Sequence, residues 1–168
     1  MSESSRTAEG EDRESVAPNA RAEVRSAIIS GAEIIGQAVW LMSLSPAHQH
    51  LQLSDIQWAL LPSISLQQFK LFRKEGMPAA FVTWALLSDA VQAKYRTGQY
   101  RLKPPDWNSG RFLWLIDIVV PFGALDAVLE RVRHDIFPDQ EFRALRIAAD
   151  VQVDTWNSTE AERPPGTS

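Results

Sequence analysis

The stretch Arg111-Phe-Leu-Trp-Leu-Ile-Asp117-Ile-Val-Val120 is the most apolar run in the chain, and it decides the fold. Because aromatic and β-branched residues dominate it, we predict a buried central β-strand. The alternation of side chains along a strand would place Asp117 on one face with Leu113, Leu115 and Val119. An unpaired carboxylate on such a face costs several kcal/mol. Asp117 therefore needs a partner or a raised pKa.

Two interpretations of Asp117 satisfy that requirement. In the structural interpretation, Asp117 lies at the end of the strand, where it caps the following turn or pairs with Arg143 or Arg146. In the functional interpretation, it orients and polarises a histidine, as carboxylates do in hydrolytic triads. The sequence alone leaves both open.

Three histidines are available as bases near neutral pH. His134 stands among charged residues on a predicted helix surface, which favours a solvated side chain. His48 and His50 follow a predicted helix end at Pro46, in a loop where a histidine is either polar surface or catalytic. Their His-x-His spacing lacks nearby carboxylate or thiolate ligands in a recognisable pattern, so we expect no metal site.

The segments around the central strand predict an α+β fold. Apolar residues recur at steps of three and four from Ile28 to Met42, which predicts an amphipathic helix. Lys74-Glu75-Gly76 separates two strand-like runs and indicates a hairpin. The other predicted elements are a helix over 55–61 capped by Ser54 and ended by Pro62, strands over 68–73 and 79–84, a helix from Ser88 to Tyr95, a helix over 124–136, and strands over 142–147 and 151–156.

Composition limits the classes of function. The 168 residues suit one domain, 26–156, between polar tails over 1–25 and 157–168 that we expect to be disordered. The chain has no cysteine, which excludes disulfides, thiolate zinc sites and an acyl group held on an enzyme thiol. Residues 1–25 lack the apolar core of a secretory signal, and we find no run of about 18 apolar residues that would span a membrane. We therefore expect a cytoplasmic protein.

Charge is unevenly distributed. Residues 66–111 carry eight basic side chains against three acidic ones. This excess favours an acidic partner through electrostatic steering, although the solvated face of a mixed domain has the same composition. No basic helix with interleaved aromatic residues occurs in the sequence, so we expect no nucleic-acid partner.

Several motifs follow one another in a recognisable order over about residues 30–150. The first is Gly36-Gln-Ala-Val-Trp40-Leu-Met-Ser-Leu-Ser45-Pro46-Ala-His48. The others are Leu61-Pro62-Ser-Ile, Met77-Pro78-Ala-Ala-Phe-Val-Thr-Trp84-Ala85-Leu-Leu-Ser88, Trp107-Asn-Ser109-Gly110, Trp114-Leu-Ile-Asp117-Ile-Val-Val-Pro121-Phe122-Gly123, Phe137-Pro138-Asp139 and Phe142-Arg143-Ala144-Leu145-Arg146. Together they resemble the RTX-toxin-activating lysine acyltransferases, the hemolysin-activator family.

The resemblance implies a fold similar to the GCN5-type N-acetyltransferases, with a mixed central sheet flanked by helices. It also implies transfer of a fatty acyl group from acyl carrier protein to internal lysines of an RTX-type protoxin. The family's catalytic pair falls on His48 and Asp117, the serine of its Ser-Pro-x-His motif on Ser45, and its late arginine on Arg146. Acyl-phosphopantetheine would arrive on the carrier protein as a co-substrate, with no tightly bound cofactor. A homodimer is a possible assembly.

The chemistry of that reaction fits the residues. Attack on a thioester needs a neutral amine, yet free lysine has a pKa near 10.4, so a base such as His48 must take a proton. Backbone amides near Gly123, or Ser45, are candidate donors to the thioester oxygen. The turn Pro121-Phe122-Gly123 has a single glycine, whereas coenzyme A users of the related fold need a glycine-rich turn to cradle a pyrophosphate.

Two other functions stay open at this point. About ten residues of the predicted domain follow Arg146, fewer than in most members of the family that the chain resembles, which motivates a non-catalytic relative that binds carrier protein or an RTX partner as an adaptor. The third candidate is a coenzyme A-dependent acyltransferase of the related fold.

Overall fold

The computed structural model describes residues 18–147 and 153–157, in which five strands form one mixed sheet. The strands follow the order of the sequence, with β1–β2, β2–β3 and β4–β5 antiparallel and β3–β4 parallel. The α+β prediction with a mixed sheet is confirmed, while the likeness to GCN5-type N-acetyltransferases stays a prediction. The strands are β1 (Phe69–Lys74), β2 (Met77–Leu87), β3 (Phe112–Val119), β4 (Arg143–Ile147) and β5 (Val153–Asn157).

Helices cover both faces of this sheet. On one face, Leu41 at the end of the first helix packs with Phe81 and Val119 of the sheet. On the other, Val128 of the last helix packs with Leu113 and the neighbouring apolar side chains of β2 and β3. The helices are α1 (Pro18–Ser43), α2 (Ile56–Ala59), α3 (Leu61–Ser65), α4 (Asp89–Tyr95) and α5 (Leu125–Arg131), the last continuing into a π-helical turn (Val132–Ile136).

The parallel pair β3–β4 is short. Its register joins only Trp114 to Arg143 and Leu115 to Ala144 within the described strands. Beyond Leu115, the end of β3 therefore lacks a ladder partner on that side, and the carboxyl-terminal half of this strand can face a cavity.

The predicted hairpin is confirmed, and its turn has a clear cause. Glu75 and Gly76 both have positive φ, +51° and +82°. Two consecutive left-handed residues make the two-residue turn whose twist matches that of the flanking strands. The predicted cap of α4 is also confirmed, because Ser88 Oγ accepts a hydrogen bond from the backbone N–H of Val91 at 3.3 Å.

The predicted helix over 55–61 is wrong in its bounds. A 3₁₀ turn (Leu53–Asp55), α2 and α3 replace it, with Gln52 in place of Ser54 at the N-cap of the turn. Pro62 does not end the helical segment, because it lies in the first turn of α3, where a missing N–H costs no hydrogen bond. Leu60 separates the two helices with φ −122°.

The expectation that no segment could span a membrane needs a correction. Within the described residues, Ser26–Ser43 of α1 is long and apolar enough to cross a bilayer, with a mean hydropathy of 1.2. Only the length and the composition of this segment indicate that it could span a membrane, and the buried core helices of soluble proteins have the same length and composition. The end of α1 does belong to the core, because Ala38 and Leu41 are fully buried against the sheet.

Gly110 is required by a close approach of two backbones. The N–H groups of Ser109 and Gly110 both donate to the carbonyl oxygen of Leu86, at 2.8 and 3.0 Å. A Cβ on Gly110 would lie 2.4 Å from Ser88 Cα and 2.6 Å from the carbonyl oxygen of Leu87. This contact fixes the loop that carries the buried Trp107.

We therefore expect Gly110→Ala to lower the free energy of unfolding by about 1–3 kcal/mol, since backbone rather than a flexible side chain must move. Urea unfolding followed by circular dichroism measures the change. Gly36→Ala is the matched control, because Gly36 lies inside α1 with nothing within 4 Å of an added Cβ. That variant should be more stable by about 0.5–1 kcal/mol. Equal stability of Gly110→Ala and the wild type would contradict the argument.

Candidate active site

His48 is held by a tight turn after α1. The backbone N–H groups of His48 and Gln49 both donate to the carbonyl oxygen of Ser45, at 2.9 and 3.1 Å. Pro46 cannot continue the hydrogen-bonding pattern of α1, so the chain turns here and returns His48 towards the sheet. The His48 side chain is 12% exposed and is not on the polar surface.

Both ring nitrogens of His48 have partners. Nε2 lies 2.8 Å from Asp117 Oδ1, and Nδ1 lies 2.8 Å from Ser45 Oγ. An ionised carboxylate only accepts hydrogen bonds, so Nε2 carries the proton that it donates to Asp117. In neutral His48, Nδ1 therefore has the lone pair, and it accepts a hydrogen bond from the Ser45 hydroxyl. The arrangement orders a carboxylate, an imidazole and a hydroxyl in one line of hydrogen bonds.

A β-bulge in β3 gives Asp117 its direction. Thr83 of β2 pairs with Asp117 and Trp84 pairs with Leu115, so Ile116 has no partner residue on β2. Ile116 and Asp117 consequently both face the cavity beside His48. Bulges insert one extra residue and change the face on which the following side chains lie.

Because of this bulge, the face predicted for Asp117 is wrong. Leu113 and Leu115 pack in the cluster beneath α5, whereas Val119 packs with α1 on the opposite face. Asp117 shares its face with Val119 and not with the two leucines, because strict alternation fails at Ile116. Without the extra residue, Asp117 would lie in the apolar cluster with α5, on the far side of the sheet from His48.

Electrostatics favour the charged form of His48. The hydrogen bond to Asp117 raises the pKa of the His48 imidazole above its ordinary value of 6.5, and the charge of Asp117 raises it further. Burial of the ring lowers the pKa but does not cancel these effects. Asp117 therefore stabilises the imidazolium that forms when His48 accepts a proton.

A cavity of about 430 Å³ opens beside His48 and Asp117. The Arg101 guanidinium lies over the Trp58 ring, 3.9 Å from its centroid. Burial, with a smaller contribution from Asp117, raises the pKa of the Tyr95 phenol well above its ordinary value, so its hydroxyl stays protonated at neutral pH. Other residues in the lining are Leu51, Ala59, Tyr100, Trp107 and Ile116.

Comparison with known proteins shows the family of the chain. The family model described as the RTX toxin acyltransferase family matches residues 28–157. The chain belongs to the RTX toxin acyltransferase family. The RTX-I toxin-activating lysine-acyltransferase ApxIC of Actinobacillus pleuropneumoniae is 38% identical over 125 residues, which cover 74% of this chain and 72% of the relative.

Two further relatives bear the name protein-lysine myristoyltransferase. RtxC of Kingella kingae is 36% identical over 115 residues, covering 68% of each chain. HlyC of Escherichia coli is 36% identical over 115 residues, covering 68% of this chain and 67% of the relative. The resemblance seen in the sequence motifs is thereby confirmed at the level of the family.

In this member of the RTX toxin acyltransferase family, the structure brings His48, Asp117 and Ser45 together but leaves Gly123 apart. Gly123 lines a different groove, and its N–H donates to the carbonyl oxygen of Val120 at 3.0 Å. This N–H is therefore not a free donor for a thioester oxygen. Arg146 lies in β4 opposite Asp154, and the description of the structure does not extend to its side chain.

The other sequence candidates lie outside this site. His134 is exposed and pairs with Glu130 at 3.1 Å, which agrees with the solvated surface expected for it. His50 is exposed in the loop after His48. Within residues 18–147 and 153–157, no group of three or more His, Asp or Glu side chains is arranged to hold a metal ion.

Sequence reasoning missed the wall of the cavity. Trp58, Tyr95 and Arg101 come from α2, α4 and the loop after α4, and no spacing rule joins them. The sequence did give a weak indication that Trp107 is important, since Trp107 is the first residue of the Trp-Asn-Ser-Gly motif shared with the RTX toxin acyltransferases. Large aromatic residues in a turn-rich segment indicate burial, and here that burial forms the cavity wall.

Proposed function

We propose that this protein is a protein-lysine fatty acyltransferase that moves an acyl group from acyl carrier protein to internal lysine ε-amines of an RTX-type protoxin. The observation that carries the proposal is the hydrogen-bonded line of Ser45, His48 and Asp117, of which His48 and Asp117 line a cavity. An acyltransferase needs a base beside a space that admits two substrates, and His48 supplies the base there.

The proton path follows from the tautomer of His48. The lysine amine attacks the thioester carbonyl carbon and forms the amide bond, while the carbon–sulfur bond breaks and the thiolate of phosphopantetheine leaves. The proton lost by the amine passes to Ser45 Oγ as the Ser45 hydroxyl donates its own proton to His48 Nδ1. Asp117 then holds the imidazolium until His48 returns the proton to the thiolate.

The donor in this proposal is acyl carrier protein. Its acidic surface suits the basic segment 66–111, and Arg101 in that segment faces the cavity, where a phosphate could pair with it. A coenzyme A donor would need free backbone N–H groups after the central strand to bind its pyrophosphate, and the Gly123 N–H already donates to the carbonyl oxygen of Val120. Acyl-phosphopantetheine acts as a co-substrate, with no tightly bound cofactor. The relatives named as toxin-activating lysine acyltransferases support an RTX acceptor.

The test is a transfer assay with purified full-length protein. One arm contains carrier protein loaded with a labelled myristoyl group and an RTX protoxin, and a second arm replaces the donor with myristoyl-coenzyme A. We expect label on protoxin lysines in the first arm and at least a hundredfold less in the second. Binding of carrier protein without transfer would instead indicate an adaptor.

We propose that this reaction takes place in the cytoplasm, and fractionation of the native host cell tests this location.

Ser45 acts as a positioning and proton-passing residue in this mechanism. Ser45→Ala removes one hydrogen bond to Nδ1, so we expect kcat to fall about tenfold while a water molecule replaces the hydroxyl in the proton path. The matched control is Ser65→Ala, since Ser65 is exposed at the end of α3 and lines no cavity that contains His48. Steady-state kinetics measure the change. An acyl ester on Ser45, trapped by rapid acid quench and found by mass spectrometry, would contradict direct transfer.

A further inference from the structure

Two cavities meet at His48. Besides the cavity that contains Asp117, a second cavity of about 260 Å³ lies between the end of α1 and the segment that runs through α2. His48, Leu51 and Ala59 line both cavities and form the partition between them. One imidazole thus stands at the junction of two separate spaces.

The chemical linings of the two cavities differ. The first contains charged or ionisable groups, namely Asp117, Arg101 and the phenols of Tyr95 and Tyr100. The lining of the second has no acidic side chain, lysine or arginine, and its polar members besides His48 are the uncharged Ser43, Gln49 and Gln52. Its apolar wall consists of Val39, Met42, Leu51, Leu53, Ile56 and Leu60.

From this difference we infer that the second cavity binds a fatty acyl chain. The inference rests on the proposed function, in which the chain belongs to the thioester donor. The carbonyl must lie beside His48, while the polar arm of the donor and the lysine amine need polar surroundings. Only the hydrocarbon gains free energy from a wall of aliphatic side chains. The chain therefore occupies the space between α1 and α2, and the two polar reactants occupy the first cavity.

Burial along the second cavity supports a chain site. Leu60 is fully buried and Met42 is 6% exposed, so they form an apolar floor. Leu53 at the rim is 83% exposed, although its aliphatic side chain gains nothing from water. A bound chain that passes over Leu53 covers this side chain, and the length of chain that reaches it is favoured over shorter ones. The groove thus selects the acyl chain length.

Val39→Phe and Ser43→Phe test the inference by filling the second cavity from α1. Neither residue lines the first cavity, and Ser43 is exposed, so the second variant does not disturb the core. The matched control is Ala127→Phe, which adds the same ring at an exposed position in the groove formed with Trp40 and Phe122. That groove contains neither His48 nor Asp117.

The first readout is equilibrium binding of cis-parinaric acid, a fluorescent fatty acid, to the full-length protein. The second is the ratio of kcat/KM for myristoyl- over butyryl-carrier protein. Each methylene displaced should lower binding about fourfold, so the loss of three lowers both readouts about 60-fold. We expect this loss in Val39→Phe and Ser43→Phe, and no loss in Ala127→Phe.

The two readouts separate the inference from the proposed function. Equal parinaric acid binding by the wild type and both filled variants overturns the acyl-chain site, whatever the transfer rate. An unchanged chain-length ratio in an active Ser43→Phe variant overturns it as well. Binding that depends on Val39 and Ser43 in a protein without transfer activity supports the chain site and rejects the proposed function.

Discussion

His48→Ala should lower kcat for acyl transfer by about a hundred- to ten-thousandfold, which is the usual contribution of a positioned general base. The loss has two sources. The variant has no group to accept the amine proton at Nδ1, and it leaves the Ser45 hydroxyl and the Asp117 carboxylate without the ring that joins them. Single-turnover kinetics with myristoyl-carrier protein and protoxin measure the chemical step separately from product release.

The control for this variant is His50→Ala, since His50 is an exposed histidine two residues further along the same loop. We expect its kcat to stay within about twofold of the wild type. Thermal unfolding of both variants shows whether the fold is retained, and His48→Gln keeps more of the side-chain volume if alanine leaves a destabilising gap. A folded His48 variant that transfers within tenfold of the wild-type rate would remove His48 from the mechanism.

The sequence predicts the central strand and the hairpin well because their signals are local. The run Phe112–Val119 is apolar apart from Asp117, and Glu75-Gly76 adopts the positive φ values that its turn requires. The length of β2 depends on contacts that are not local. The sequence pattern predicts a strand over 79–84, whereas β2 covers Met77–Leu87. Its carboxyl-terminal end is extended by pairing with β3 as far as Phe112, which is a tertiary effect, and its first residues pair with β1 across the hairpin.

The candidate site is only partly predictable. Ser45 and His48 lie in one motif, but Asp117 is 69 residues from His48, and their contact depends on the bulge at Ile116. No sequence rule places that bulge, because Phe112–Val119 fits an unbroken strand equally well. The motif resemblance identified the pair, and the geometry supplies the physical reason that both residues face one cavity.

The same limit applies to the cavities. A hydrophobic periodicity over α1 predicts one buried stripe, yet Val39 borders a cavity while Ala38 is fully buried. The difference arises because the turn at Ser45 carries His48 and Leu51 back across the end of α1. Voids depend on how several elements meet, so pairwise spacing in the sequence does not predict them.

Asp117→Asn should lower kcat by about a hundred- to ten-thousandfold while preserving the fold. The amide is nearly isosteric with the carboxylate, but its NH₂ group donates to Nε2 and so favours the tautomer with the proton on Nδ1. His48 then lacks a lone pair towards Ser45, and a comparable loss of about ten-thousandfold is known for this substitution in a serine protease triad. Asp139→Asn is the control, because Asp139 is exposed and lines neither cavity at His48.

The pH profile of kcat/KM separates the role of Asp117 as an electrostatic partner from a merely structural one. His48 acts as a base only when neutral, so the wild-type rate should fall on acidification through an apparent pKa above 6.5, where Asp117 holds it. In Asp117→Asn both the hydrogen bond that His48 donates to the carboxylate and the charge of that carboxylate are lost, and burial alone lowers the pKa of His48. The residual activity should therefore persist to lower pH than in the wild type, even though its maximum is far smaller. An acid limb at the same pH in both proteins would show that another group, and not the imidazole paired with Asp117, accepts the proton.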